Sequence, residues 1–113
     1  MAPELLGPFE QLVLAAVTSL DDAYGVTIRE KVEQLLLKPV KFGPIYTTLD
    51  RLENKGYLES WMTEPLPERG GRAKRCYRMS VAGKAALEES AATASRVLDA
   101  IDRVVDPGIV TES

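Results

Sequence analysis

The sequence predicts a mostly α-helical fold with one small β-hairpin (α+β), in which a winged helix-turn-helix is followed by a long C-terminal helix. Three observations predict it. Apolar residues recur at helical spacing in three short segments, two strand-like runs flank a loop rich in proline and glycine, and the last apolar segment repeats every 3.5 residues. We expect a winged-helix domain over residues 1–80, a separate helix over 81–106 and a flexible tail over 107–113.

The first two predicted helices supply the apolar core. The first begins at Pro8 and ends at Asp21-Asp22, and its wide apolar face comprises Phe9, Leu12, Val13, Ala16, Val17 and Leu20. The second runs from about Ala23 to Leu37 and is stopped by Pro39, and its apolar side comprises Tyr24, Ile28, Val32 and Leu35. Gly25 indicates either a close contact with another helix or a frayed first turn.

The third predicted helix has a polar and aromatic outer face. We expect Pro44 at its first position and Gly56 in the left-handed conformation that ends it. Its inward apolar stripe comprises Ile45, Leu49 and Leu52. The outer face carries donors and acceptors that suit phosphates and base edges, namely Tyr46, Thr47, Asp50, Arg51 and Asn54. An ordinary amphipathic helix shows the same pattern, so this segment alone does not decide the function.

Two strand-like runs follow, Tyr57–Thr63 and Lys74–Met79, and they predict a hairpin with a basic tip. The loop between them holds two prolines and the tetrad Arg69-Gly70-Gly71-Arg72. Glycines allow the backbone to approach phosphates closely, and the two arginines supply positive charge. A helix followed by such a hairpin is typical of a winged helix that binds DNA, although a flexible solvated hairpin has the same composition.

The charge is segregated along the chain. The whole sequence carries −3, but residues 38–84 hold ten basic and five acidic side chains, a net of +5 that leaves −8 for the remainder. A positive segment on an acidic protein orients it on a polyanion. The basic residues do not adjoin an apolar membrane face, so an anionic lipid surface is a poorer match than DNA.

Several classes of function and location find no support. The chain has no histidine and one cysteine, so neither a catalytic motif nor a zinc site of the usual type is visible, and we expect no enzyme activity, metal or cofactor. The N-terminus lacks the features of a secretory signal or a membrane span. A single cysteine excludes an internal disulfide and fits a reducing compartment, so we expect a cytoplasmic protein.

The last predicted helix carries an apolar seam. It begins near Ser80 as the N-cap, runs to about Val105 and is stopped by Asp106-Pro107-Gly108. The seam comprises Leu87, Ala91, Ala94, Leu98, Ile101 and Val105. Spacings that alternate between four and three suit pairing with another helix, so we expect a homodimer. The alternative is that the helix folds back on its own domain.

Two single residues are further candidates. Trp61 is a candidate for a ligand pocket, because aromatic rings stack on planar molecules, but a strand tryptophan that covers the core is the more common case. Cys76 lies close to Arg75 and Arg78, which would lower the pKa of a redox-sensing thiol, but an inert cysteine packed in the hairpin is again more common.

The order and spacing of several motifs resemble the PadR family of bacterial transcriptional regulators, and the resemblance extends to about residue 90. The motifs are Leu6-Gly7-Pro8-Phe9-Glu10, Ala23-Tyr24-Gly25, the run from Gly43 to Leu52, Lys55-Gly56, Glu68-Arg69-Gly70-Gly71-Arg72, and Gly83 with Leu87. The single C-terminal helix resembles the short subgroup of that family. Cys76 stands where the family often has an aromatic residue, and Ser80 where threonine is usual.

The resemblance implies a dimeric winged-helix repressor that a small-molecule effector releases from its operator. Tyr46, Thr47 and Arg51 would then face the DNA groove, and Arg69, Arg72 and Lys74 the DNA backbone. The full set of candidate DNA contacts is Lys41, Tyr46, Thr47, Arg51, Arg69, Gly70, Gly71, Arg72 and Lys74. The alternative is a winged helix that docks a protein instead, which an acidic or neutral hairpin would favour and the basic one opposes.

Overall fold

The computed structural model describes residues 5–65 and 70–104, which form four helices and one antiparallel hairpin. The elements are α1 (Pro8–Thr18), α2 (Gly25–Leu36), α3 (Phe42–Asn54), β1 (Leu58–Met62), β2 (Arg75–Met79) and α4 (Val81–Val104). The predicted fold class is confirmed. The candidate residues Arg69 and Val105 and the predicted tail over 107–113 lie outside the described residues.

The core lies where α1, α2 and α3 meet. Its largest fully buried side chains are Leu14, Ile28, Ile45, Leu49, Leu52, Val13 and Val32. The predicted inward stripe of α3 is therefore confirmed. Burying a side chain of this size stabilises the fold by roughly 1.5–3 kcal/mol, so α3 cannot rotate without losing several such contributions.

The start of α2 differs from the prediction. Tyr24 is the N-cap in an extended conformation rather than part of the helix, and it forms an isolated β-bridge with Cys76. The apolar side of α2 continues from Ile28 and Val32 to Leu36, while Leu35 is 47% exposed. The prediction of Leu35 as a core residue was wrong, because steps of four from Ile28 lead to Leu36.

The N-terminal boundary of α3 lies two residues earlier than predicted. The helix begins at Phe42, so Pro44 is its third residue and not its first. The proline is still harmless, because the first four N–H groups of a helix have no acceptor within it. Gly56 has a φ of 82°, as predicted. The strands are shorter than predicted, since Tyr57, Thr63 and Lys74 lie beyond their ends.

The hairpin is attached to the helical body at its root. The N–H of Tyr77 donates to the carbonyl oxygen of Ala23 at 2.9 Å, next to the bridge between Tyr24 and Cys76. The side chains of Leu58 and Tyr77 are buried. The segment before α2 thus contacts β2 through one isolated bridge and this hydrogen bond, and it holds the hairpin beside the N-terminus of α2.

A buried carboxylate joins the start of α1 to the end of α3. Glu10 is 7% exposed, accepts a hydrogen bond from the N–H of Gly7 at 2.9 Å and pairs with the ammonium of Lys55 at 3.0 Å. Burial alone would raise the pKa of Glu10, but the Gly7 N–H and Lys55 outweigh it and hold the pKa below its usual value. The stabilisation from Glu10 is therefore present at neutral pH and is lost as the pH falls through this lowered pKa.

The first half of α4 belongs to the winged-helix body. Ser80 is its N-cap, as predicted: its Oγ accepts from the N–H of Gly83 at 3.0 Å and donates to the carbonyl oxygen of Gly56 at 2.6 Å. Further along, the buried Ser90 accepts a hydrogen bond from the N–H of Leu6 at 3.3 Å. None of the helices in the described part of the chain has the length and apolar character needed to cross a membrane.

Gly83 and Gly43 should respond oppositely to alanine. A Cβ at Gly83 would overlap the carbonyl oxygen of Tyr57, which is backbone and cannot move aside, whereas a Cβ at Gly43 meets nothing within 4 Å. We expect Gly83→Ala to lower the free energy of unfolding by about 1–3 kcal/mol and Gly43→Ala to raise it by about 0.5 kcal/mol. Urea denaturation measures both, and equal effects would contradict the close approach of α4 to Tyr57.

Candidate nucleic-acid interface

The outer face of α3 is exposed in the way the sequence predicts. All five side chains named for it are exposed, namely Tyr46, Thr47, Asp50, Arg51 and Asn54. Because residues four apart are neighbours on a helix, they form two rows: Tyr46, Asp50 and Asn54 in one, and Thr47 and Arg51 in the other. The charge of Arg51 helps to lower the pKa of Glu10, so its row lies on the side of α1.

Tyr46 is held in place although it is 47% exposed. Its ring stacks on Phe42 with centroids 5.9 Å apart, and its hydroxyl lies against Gly25 at the start of α2, where any Cβ would overlap it. Of the two interpretations of Gly25, the close helix–helix contact is confirmed. A glycine in α2 thus creates the space for an aromatic side chain on the outer face of α3.

The turn between α2 and α3 is clamped by an ion pair that the sequence analysis did not identify. Arg29 lies 4.2 Å over the ring of Phe42 and donates to the carbonyl oxygen of Val40 at 3.2 Å. Glu33 accepts from the N–H of Val40 at 2.8 Å and lies 3.6 Å from Arg29. The i, i+4 spacing of these two charges was the available signal. The clamp sets the angle at which α3 leaves the turn.

An open groove of about 870 Å³ separates α3 from the hairpin, and we call it the α3–wing groove. Its lining comprises Tyr24, Gly25, Val26, Tyr46, Asp50, Gly70, Arg72, Ala73, Lys74, Arg75 and Tyr77. The fold therefore brings four candidate DNA contacts together here, Tyr46, Gly70, Arg72 and Lys74. Lys41, Thr47 and Arg51 are exposed on α3 or at its N-cap without lining the groove.

The tip glycines have backbone conformations that the sequence analysis did not specify. Gly70 has a φ of 66° and Gly71 a φ of 76°. Both values lie in the left-handed region, which residues with a Cβ rarely adopt. Both glycines are exposed, and no atom of the described residues lies within 4 Å of an added Cβ, so this backbone is open towards them.

Two of the basic side chains along the groove already have partners. The ammonium of Lys74 lies 2.6 Å from the carboxylate of Asp22 and 3.9 Å from the ring centre of Tyr24. Arg75, which is not among the DNA contacts predicted from the sequence, donates to the hydroxyl of Ser60 at 2.9 Å. Asp22 therefore competes with a phosphate for the Lys74 ammonium.

Carboxylates near the groove act on Tyr77. Burial raises the pKa of its phenol, the charges of Asp50 and Glu53 raise it further, and Arg75 opposes them. Tyr77 is therefore uncharged at neutral pH. The effect of Asp50 also indicates that its carboxylate lies near the root of the hairpin.

Trp61 borders a second groove of about 370 Å³, which we call the Trp61 groove. The side chain is 44% exposed and lies beneath Arg78, 5.6 Å from its ring centre, so it does not cover the core. Its role in ligand binding stays a prediction. Cys76 is buried, with its sulfur 3.9 Å from a carboxylate oxygen of Asp22. Among the described residues, no group of three His, Cys, Asp or Glu side chains could hold a metal ion.

A family model for the transcriptional regulator PadR-like family matches residues 13–89. The chain belongs to this family. It is thus a PadR-like, DNA-binding transcription regulator and not an enzyme. The matched region extends from α1 across α2, α3 and the hairpin to the first half of α4, and so contains the whole α3–wing groove. Among functionally curated proteins, none matches the chain significantly.

Solved structures of similar proteins share the fold. A PadR-like transcription factor from Bacteroides fragilis has a TM-score of 0.73 at 21% identity, covering 86% of this chain and 89% of that one. A PadR family regulator from Eggerthella lenta has a TM-score of 0.71 at 22% identity, with 87% and 81% covered. The protein smu.1704 from Streptococcus mutans UA159 has a TM-score of 0.69 at 28% identity, with 91% of each chain covered.

Replacing Asp22 with asparagine should strengthen DNA binding. The change removes the partner that holds Lys74, so the ammonium becomes available to a phosphate. We expect the affinity for duplex DNA to rise about two- to fivefold, since an ion pair of this exposure is worth on the order of 0.5–1 kcal/mol. Fluorescence anisotropy measures the change.

Asp21→Asn is the matched control, because it removes the same charge from an exposed neighbour that borders the Trp61 groove. Equal gains in the two variants would mean that only net charge matters.

Proposed function

We propose that this PadR-like regulator is a homodimeric repressor that binds an operator through α3 and the hairpin and is released by a small-molecule effector. The observation that carries the proposal is the α3–wing groove, in which an aromatic side chain of α3 faces a basic hairpin across open space. A winged helix uses these two elements on DNA, the helix in the major groove and the hairpin on the adjacent backbone.

The distribution of groups suits this division of labour. Thr47 offers a hydroxyl on the exposed face of α3, and Tyr46 offers the exposed part of its ring beside the α3–wing groove; a helix has the width that the major groove admits. Arg72 and the backbone of Gly70 and Gly71 lie at the hairpin, where positive charge and a bare backbone favour phosphates. Lys41 at the N-cap of α3 and Arg51 near its end add charge at both ends of the helix.

The second half of α4 supports the homodimer. Leu87 is half-buried and packs on the core of its own chain, but every described residue from Ser95 onward is exposed. The exposed residues include Val97 (52%), Leu98 (61%), Ile101 (49%) and Val104 (65%). A row of aliphatic side chains on a projecting helix is a protein interface. A second copy of the chain would cover this row of side chains. The dimer would then place one α3 on each of two DNA half-sites.

Release by an effector is supported by the position of the Trp61 groove. Tyr77 borders both grooves, and Arg78 on the same strand lies over Trp61. A planar molecule on Trp61 would therefore press on the hairpin that also carries the basic side of the α3–wing groove. Repression would follow from occupancy of the operator by the effector-free dimer.

The salt dependence of binding tests the DNA contact. With roughly four phosphate contacts per subunit, a dimer should give a slope of log K against log salt of about −7. Arg72→Ala should weaken binding to all duplexes about equally, whereas Thr47→Ala should reduce the discrimination between sequences. Anisotropy titrations at several salt concentrations measure both effects. A slope near zero would contradict DNA binding and favour a module that docks a protein.

The oligomeric state tests the role of α4. Replacing Leu98 and Ile101 with aspartate should dissociate the dimer, because a two-fold axis brings like charges together and each lost aliphatic contact costs on the order of 2–5 kcal/mol. DNA affinity should fall in parallel, since a monomer engages one half-site. Sedimentation measures the mass. Ala92→Asp with Ala100→Asp adds the same charge off the seam and should remain dimeric, and a dimer that persists in the first variant would contradict the seam.

A further inference from the structure

Asp50 is the one acidic side chain of α3 that lines the α3–wing groove among the residues described. It is exposed, and within that part of the chain its carboxylate forms no hydrogen bond or ion pair. Two of the three cations that line the groove contact other residues, Lys74 contacting Asp22 and Arg75 contacting Ser60. The other acid of the α3 C-terminal half, Glu53, is half-buried and accepts a hydrogen bond from Ser60 at 2.5 Å.

Local structure gives no reason for an aspartate at this position. Asp50 is the ninth of thirteen residues in α3, so it lies far from the first turn, where the helix dipole would favour an acidic side chain. Aspartate is also a weak helix former in a helix interior. On a surface that meets phosphates, an unpaired carboxylate lowers affinity by repulsion. A favourable partner for it must therefore come from the DNA, and it must be a hydrogen-bond donor.

The base edges of the major groove offer few such donors. Guanine presents two acceptors and thymine an acceptor and a methyl group, so both repel or ignore a carboxylate. Adenine presents an amino group beside the acceptor N7, whereas cytosine presents its N4 amino group as a donor alone. Cytosine is therefore the base that a carboxylate recognises best.

We propose that Asp50 is a specificity-determining residue whose carboxylate accepts a hydrogen bond from the N4 amino group of a cytosine, so that each half-site requires a C·G pair at one position. The inference rests on the proposed function, since it needs α3 in the major groove. Asp50 lies one helical turn from Tyr46 and three residues from Thr47. It is on the exposed face of α3, opposite the buried stripe. The same charge that selects cytosine penalises every duplex that lacks it.

Selection from a library of random duplexes, with the full chain as the binding protein, tests the inference. We expect the wild type to enrich a C·G pair at one position per half-site, preferred about tenfold over the other pairs. Asp50→Ala should remove the preference at that position and leave the others, while its affinity for random duplexes rises. Asp50→Asn should shift the preference towards A·T, because an amide both donates to N7 and accepts from N6.

Glu88→Gln is the matched control, since it removes one exposed carboxylate from α4 at a position that lines neither groove, and it should keep the wild-type sequence preference. An unchanged C·G preference in Asp50→Ala would overturn the inference, as would an equal loss of preference at every position in a variant with wild-type thermal unfolding. If the wild type enriches a site without a C·G requirement, the inference fails while the proposed function stands. If the wild type enriches no sequence and its DNA binding does not depend on salt, the proposed function is overturned, and the inference that rests on it is overturned as well.

Discussion

The seating of α3 in the core is the constraint on which the rest of the interface depends. Ile45, Leu49 and Leu52 are completely buried, so the helix has one rotational setting and its remaining side chains have fixed directions. Tyr46 faces outward for this reason and not through a preference of its own. Because Gly25 has no side chain, the Tyr46 hydroxyl fits against it. The Tyr46 ring therefore lies between α2 and the α3–wing groove.

The hairpin depends on that setting indirectly. Its root is bonded to the backbone of Ala23 and Tyr24, which lead into α2, and α2 is clamped to the start of α3 through Arg29 and Glu33. The two sides of the groove are thus joined through one helix. Lys74 and Asp22 add a charge contact across this joint, so the hairpin and the body are coupled electrostatically as well as by hydrogen bonds.

The C-terminal helix has two parts that differ in what covers them. Up to Ser90 it is held by the Ser80 cap, by the close approach of Gly83 to Tyr57 and by the hydrogen bond from Leu6. Beyond that point its aliphatic side chains, as far as the helix is described, are all exposed. This change in burial along one continuous helix separates the part that stabilises the winged helix from the part that is available to a second copy.

The sequence by itself determined the elements, the buried stripe of α3, the cap at Ser80 and the left-handed Gly56, because each follows from local periodicity or from the conformation that one residue type permits. It also indicated the family through motif order. Only the tertiary structure decided that Lys74 is held by Asp22 and that Asp50, in the α3–wing groove, has no hydrogen-bond or ion-pair partner among the described residues. These outcomes depend on which side chains from distant segments meet, and helical spacing along one segment carries no information about the neighbour across a groove.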